Sequence, residues 1–198
     1  MSATGRSDVR IKDDRYMTPQ PLCWVLLAKL LEDIELPRDR LRVLEPHAGS
    51  GAWVRTARRL MPAAHITAND VNDDVSRWYE FGADEARVGD FLRMRGDFDL
   101  VIGNPPYNGA EAHVRHAISL TSRPKAVVAF LLRLGFLESA DRIEFWREFP
   151  PAVVYPLSER PSFTGGGTDQ TAYAWFVWQR GADGTRLEVM SWKSGPAK

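Results

Sequence analysis

Residues 41–51 read Leu-Arg-Val-Leu-Glu-Pro-His-Ala-Gly-Ser-Gly, and their reading decides the fold. Leu41–Glu45 is a short apolar run of strand length. Ala52–Met61 resumes at helical spacing after the glycines. A strand that turns through glycines into a helix is the opening of a crossover connection in a parallel sheet. Glycines there let the backbone approach a ligand closely, and the helix start offers free N–H groups. In a dinucleotide site the pattern would be Gly-x-Gly-x-x-Gly around a pyrophosphate. Val54 stands at the third glycine position, and Glu45 at the strand tip would repel a phosphate. An acid at that place suits a cationic ligand, such as a sulfonium with its ammonium group.

The alternation continues outward. Residues 19–32 carry Leu22, Val25, Leu26 and Leu30 at helical spacing. Further strands are expected at Ala64–Asn69, Ala86–Val88, Phe98–Ile102, Ala126–Leu132, Ala152–Tyr155 and Ala172–Gln179, with Leu187–Met190 as a last edge strand. Helices are expected at Asp73–Phe81, Ala110–Leu120 and Ser139–Glu148, the last with Ile143, Phe145, Trp146 and Phe149 as its apolar side. Strand and helix in turn predict an α/β, mostly parallel sheet covered on both faces. Residues 1–15 are polar and read as a flexible N-terminal arm, and residues 16–198 as a single domain. Gly165-Gly166-Gly167 is a flexible spot inside a loop.

Acids stand at three successive strand ends: Glu45, Asp70 and Asp90. About 20 residues beyond the glycine turn, an acid is placed to bind ribose hydroxyls. Asp90, in Gly89-Asp90-Phe91, is a candidate acceptor for an adenine amino group. The fourth strand runs into Asn104-Pro105-Pro106-Tyr107. Two prolines end a strand abruptly, because each fixes φ and lacks an N–H. The Asn side chain, a backbone carbonyl and a Tyr ring are then presented together at the strand's C-terminal end, where open α/β sheets bind ligands. Two adjacent oxygens accept both hydrogens of an NH₂ group, and the ring stacks on a planar base. The tetrapeptide points to chemistry on a flat, amino-bearing substrate.

Bulk composition sets bounds. Lys plus Arg and Asp plus Glu both total 26 in 198 residues, so the net charge is zero and any nucleic-acid surface must be a local basic patch. Arg123, Lys125, Arg133, Arg142 and Arg160 are its candidates, whereas Arg55, Arg58 and Arg59 read as a solvated helix face. Cys23 is the only cysteine. With no signal peptide and no spanning run, a cytoplasmic, reducing setting without membrane contact is expected. His113 and His116 are three apart on a helix and read as solvated residues, with no metal site expected.

Read in order, Tyr16-Met17-Thr18-Pro19, Glu45-Pro46-His47-Ala48-Gly49-Ser50-Gly51, Asp70, Gly89-Asp90-Phe91 and Asn104-Pro105-Pro106-Tyr107 resemble the S-adenosylmethionine-dependent amino-methyltransferases. The likeness is greatest to compact, phage-type DNA adenine-N6 methyltransferases and covers roughly residues 14–180. Arg160-Pro161-Ser162-Phe163 and Tyr173–Trp178 also resemble their C-terminal part. The resemblance implies a class I, Rossmann-like fold with a seven-stranded sheet and an antiparallel C-terminal strand. It implies S-adenosylmethionine as cofactor. Tyr16, Thr18 and Pro19 would close over its methionine end. Glu45, Pro46, Ala48, Gly49 and Gly51 would line it, with Asn104 beside it. Asp70 would hold the ribose and Asp90 the adenine, with Phe91 or Trp53 packed alongside. Asn104, Pro105, Pro106 and Tyr107 would be catalytic. Tyr107, Phe163 and Arg160 would hold an adenine flipped out of DNA. No separate target-recognition domain is expected, so base reading must come from short loops, the N-terminal arm, or a homodimer or recognition partner, or else be weak. RNA adenine or a protein glutamine amide is the alternative substrate, and a non-catalytic binding module is the alternative of another class.

Overall fold

The computed structural model of the chain describes residues 17–37, 40–163 and 170–193. The expected arm (1–15), Tyr16 and the Gly165–Gly167 loop lie outside the described residues.

The chain opens with helix α1 (Gln20–Asp33), which follows Pro19 and buries Leu22, Leu26, Leu27 and Leu30. Strand β1 (Arg42–Glu45) leads into helix α2 (Ala52–Leu60). β2 (His65–Asp70), helix α3 (Val75–Glu80), β3 (Glu85–Val88) and β4 (Leu100–Gly103) follow. Then come helix α4 (Ala110–Ser119), β5 (Val127–Arg133), helix α5 (Ile143–Glu148), β6 (Val153–Pro156), β7 (Tyr173–Gln179) and the two-residue β8 (Arg186–Leu187). The sheet order is β3-β2-β1-β4-β5-β7-β6-β8. β7 is antiparallel to both β5 and β6, and the other pairings are parallel.

The described sheet therefore has eight strands rather than the expected seven. The extra strand is the short edge piece β8, continued by a single bridge between Leu157 and Met190. The expected antiparallel strand is β7. It is buried along almost its whole length because helices cover both faces of the sheet there. On one face Val43, Ile66, Leu100, Ala129, Trp175 and Val177 pack against α1 and α2. On the other, Leu44, Val101, Phe130, Leu132, Phe176 and Trp178 pack against α4 and α5. Neighbouring residues of a strand enter different clusters, as the two-residue period demands.

Three surface expectations change. Ile143 is half exposed, at 50%, because α5 is a single short segment whose buried residue is Phe145. Arg58 is not a solvated residue. Its guanidinium donates to the carbonyls of Gly82 (2.9 Å), Pro62 (2.7 Å) and Ala64 (3.0 Å) and to Asp84. It thus ties α2 to the turn before β2 and to the turn between α3 and β3. Arg123 and Lys125 are away from the Asn104 end of the sheet. They precede β5, and they pair with Asp97 and Asp99 and with Glu35 respectively.

Arg58→Ala would strand the Gly82 and Ala64 carbonyls, both partly buried. The expected loss is about 2 kcal/mol of unfolding free energy, measured by urea denaturation. Arg58→Lys should fall in between, since a single ammonium cannot reach all the acceptors at once.

Candidate active site

The turn after β1 is built by hydrogen bonds. The Ala48 N–H donates to Asn69 O (2.8 Å) and the Gly51 N–H to Ala48 O (2.6 Å). The Asn69 side chain donates to the carbonyls of Pro46 and Gly89, both at 3.1 Å, joining the turns after β1 and β3. The Trp78 indole donates to Gly49 O at 3.0 Å. The two glycines differ in purpose. Gly49 has φ +45° and lines a cavity, so its backbone faces the ligand side. Gly51 has φ +78°, and a Cβ there would stand 2.7 Å from Phe81. Its smallness serves the packing of α3.

A cavity of about 280 Å³ opens at the C-terminal ends of β1–β4. Of the expected residues, Thr18, Pro46, Ala48, Gly49, Asp70, Asp90, Phe91, Asn104 and Pro106 line it, and Trp53 does too. The structure thus brings together the ends of all four strands. The Asp70 carboxylate accepts from the Gly49 N–H (2.9 Å) and from the Asn72 N–H (3.0 Å) and amide (2.8 Å), which aims it at the cavity wall. Asp90 accepts from the Leu92 N–H at 2.9 Å, capping the short 3₁₀ turn Phe91–Arg93. Trp53 is buried and stacks on Trp175 at 4.9 Å, so it serves the core and the cavity at once.

Other expected residues stand behind or beside the cavity. Pro19 accepts the Cys23 N–H through its carbonyl and starts α1. Glu45 is buried, at 2% exposure, with Oε1 accepting the His47 N–H at 3.0 Å. Its Oε2 is buried with no hydrogen-bond partner among the described residues, and burial pushes its carboxyl well above the usual carboxylate range. A Cβ on Gly103 would stand 2.5 Å from Glu45 Oε1, so the tip of β4 packs directly on this carboxyl. Pro105 is buried. Tyr107 donates its hydroxyl to Asn104 Oδ1 (2.8 Å), and its ring lies 5.5 Å from Tyr173 and 4.9 Å under the Arg133 guanidinium. Burial raises its phenol well above the ordinary value. Phe163 does not line the cavity. Its ring is buried edge-on to Tyr173 at 5.0 Å, because the segment after β6 folds it inward. Arg160 is exposed, and its guanidinium donates to Gln170 O at 3.4 Å.

Lining residues to which the sequence assigned no ligand role include Val71, Asn72, Arg77 and His113. Val71 is the most telling, since an aliphatic side chain 70% exposed beside a strand-end acid offers an apolar plate to a ligand. His113, expected to be solvated, is bonded to His47 across the cavity wall: His47 Nε2 and His113 Nδ1 are 2.9 Å apart. His116 packs edge-on against Phe91 at 4.8 Å and is likewise not simply solvated.

No family model matches the chain. A release factor glutamine methyltransferase of Chlorobaculum tepidum is 27% identical over 113 residues, covering 48% of this chain and 38% of that protein. The chain thus spans little more than a third of this curated relative. Among solved structures, one assigned as a class I S-adenosylmethionine-dependent methyltransferase of Listeria monocytogenes superposes with a TM-score of 0.71 at 15% identity, over 91% of this chain and 67% of that one. The modification subunit assigned to a type I restriction enzyme of Vibrio vulnificus superposes with a TM-score of 0.66 at 16% identity, over 86% of this chain and 45% of that one. With its strand order and its antiparallel β7, the chain has the class I S-adenosylmethionine-dependent methyltransferase fold.

Proposed function

We propose that the protein is an S-adenosylmethionine-dependent methyltransferase acting on the exocyclic amino group of adenine in DNA. The observation that carries this reading is the cavity's shared wall. Asn104 and Pro106, from the end of β4, face the same space as Gly49, Asp70 and Asp90, from the ends of β1, β2 and β3.

The cofactor would supply an electrophilic methyl group. The residues present suit it: acids at ribose and adenine positions, an exposed glycine backbone, and two apolar plates, Val71 and Phe91. Glu45, buried with an unpartnered oxygen, suits a cation nearby. An aromatic amine is a weak nucleophile because its lone pair is delocalised into the ring. The Asn104 carboxamide oxygen and the Pro105 carbonyl would accept its two hydrogens. That lets the nitrogen pyramidalise and directs its lone pair. Catalysis then comes from placement and fixed dipoles. The Tyr107 hydroxyl, bonded to Asn104 Oδ1, orients the amide so that its oxygen faces the substrate. Arg133, above the Tyr107 ring, and the exposed Arg160 come from the C-terminal ends of β5 and β6 and are candidate phosphate contacts.

The restriction-enzyme subunit among the structural neighbours favours DNA. The glutamine methyltransferase relative favours a second reading, in which a protein amide takes the place of the base. Tritiated S-adenosylmethionine offered with DNA, RNA and protein separately, followed by nucleoside and amino-acid analysis, decides between them. Labelled N6-methyladenine in DNA is the expected result, and label confined to glutamine overturns it.

Asn104→Ala should abolish methyl transfer while leaving S-adenosylhomocysteine binding within a few-fold, because its role is toward the amine. Asp70→Ala should do the reverse, weakening the same ligand by about 1–3 kcal/mol in calorimetry. Tyr107→Phe keeps the ring and removes the hydroxyl. Its kcat should fall roughly tenfold, as loss of one orienting hydrogen bond implies, with KM for DNA little changed.

A further inference from the structure

The histidine pair on the cavity wall defines a proton position. His47 Nε2 and His113 Nδ1 are 2.9 Å apart, so one ring donates and the other accepts. Two arrangements satisfy that bond. Either His47 carries its proton on Nε2 and donates, or His113 carries its proton on Nδ1 and donates.

Two considerations select the first. His47 Nδ1 is buried with no hydrogen-bond partner among the described residues. In the second arrangement that atom would bear an N–H with no acceptor, and orphaned buried N–H groups are the rarer and more costly kind. In the first arrangement both rings also hold the Nε2–H tautomer, which neutral imidazole intrinsically favours. Burial pushes His47 well below the usual imidazole range and lowers His113, which favours the neutral form of both rings. Phe91 stacks on the His113 ring at 5.8 Å and 21°, fixing its plane.

We infer that His113 is a specificity-determining residue of the cofactor site: His47 holds it in one tautomer, and its Nε2–H donates to an unsubstituted ring nitrogen of the cofactor's adenine. The inference rests on the cofactor reading above. It assigns the adenine a donor on α4, in addition to the acceptor Asp90 on the loop after β3. A purine presents ring-nitrogen acceptors beside its amino donor, and this wall offers the matching acceptor and donor.

The test uses the full-length protein. Long-range ¹⁵N–¹H spectra of the imidazoles should show His47 and His113 both as Nε2–H tautomers, with His113 Nδ1 shifted as a hydrogen-bond acceptor. A His113 Nδ1–H signal overturns the proposal. His113→Asn keeps a group at the Nδ1 position and loses the outward N–H. It should weaken S-adenosylhomocysteine about five- to tenfold in calorimetry. His113→Gln places an amide N–H near the lost one and should recover affinity to within about twofold of wild type, a rescue that a purely structural role would not give. One of the 1-, 3- and 7-deaza analogues of S-adenosylhomocysteine should bind wild type weakly and lose nothing further in His113→Asn. Equal binding of S-adenosylhomocysteine by wild type and His113→Asn overturns the proposal alone. A wild-type protein that binds no S-adenosylhomocysteine overturns the cofactor reading, and the proposal with it.

Discussion

The structure depends on the parallel pairing of β1 with β4, in register Val43 to Leu100 and Leu44 to Val101. From β1 the chain crosses outward to β2 and then β3, and it must return past β1 to place β4 on the other side. At that reversal the connections leave the sheet in opposite directions and a crevice opens beyond the strand ends. The glycine turn after β1 and the Asn-Pro-Pro-Tyr segment after β4 thereby meet on one cavity, although 50 or more residues separate them along the chain.

Around that junction the polar groups are almost all spoken for. Asn69 staples two turns, Asp70 holds the Gly49 and Asn72 amides, and Asp90 caps its own turn. These bonds fix side chains that would otherwise sample several rotamers, so a ligand meets them already arranged. Among the described residues, Glu45 Oε2, Trp53 Nε1 and His47 Nδ1 are buried atoms without hydrogen-bond partners at this cavity. Polar atoms left that way mark where binding energy is available.

The α/β alternation, the strand-end acids and the Asn-Pro-Pro-Tyr turn were legible in the sequence, because each is a local pattern that period and turn chemistry expose. Contacts across the chain were not. The partner of His113 lies 66 positions away on another turn, and nothing near either residue announces it. Gly51 reads as a ligand-side glycine, yet its constraint comes from Phe81, just past α3. Arg58 reads as surface because three of its four acceptors are backbone carbonyls, which leave no trace in side-chain composition. Arg123 and Lys125 share a charge with Arg133 but lie at the other end of β5, a distinction that needs strand direction as well as strand identity.

The packing of Gly103 on Glu45 has a consequence for recombination. The space that a side chain at position 103 would need is filled by the Glu45 carboxyl, 2.5 Å from where a Cβ would begin. The two residues belong to different motifs on neighbouring strands, but sterically they are one unit. A chimera that imports β4 and its Asn-Pro-Pro-Tyr turn from a relative with a larger residue at the strand tip must import that relative's β1 tip as well. Crossover points between β1 and β4 break this pairing, whereas points after α4 leave it whole.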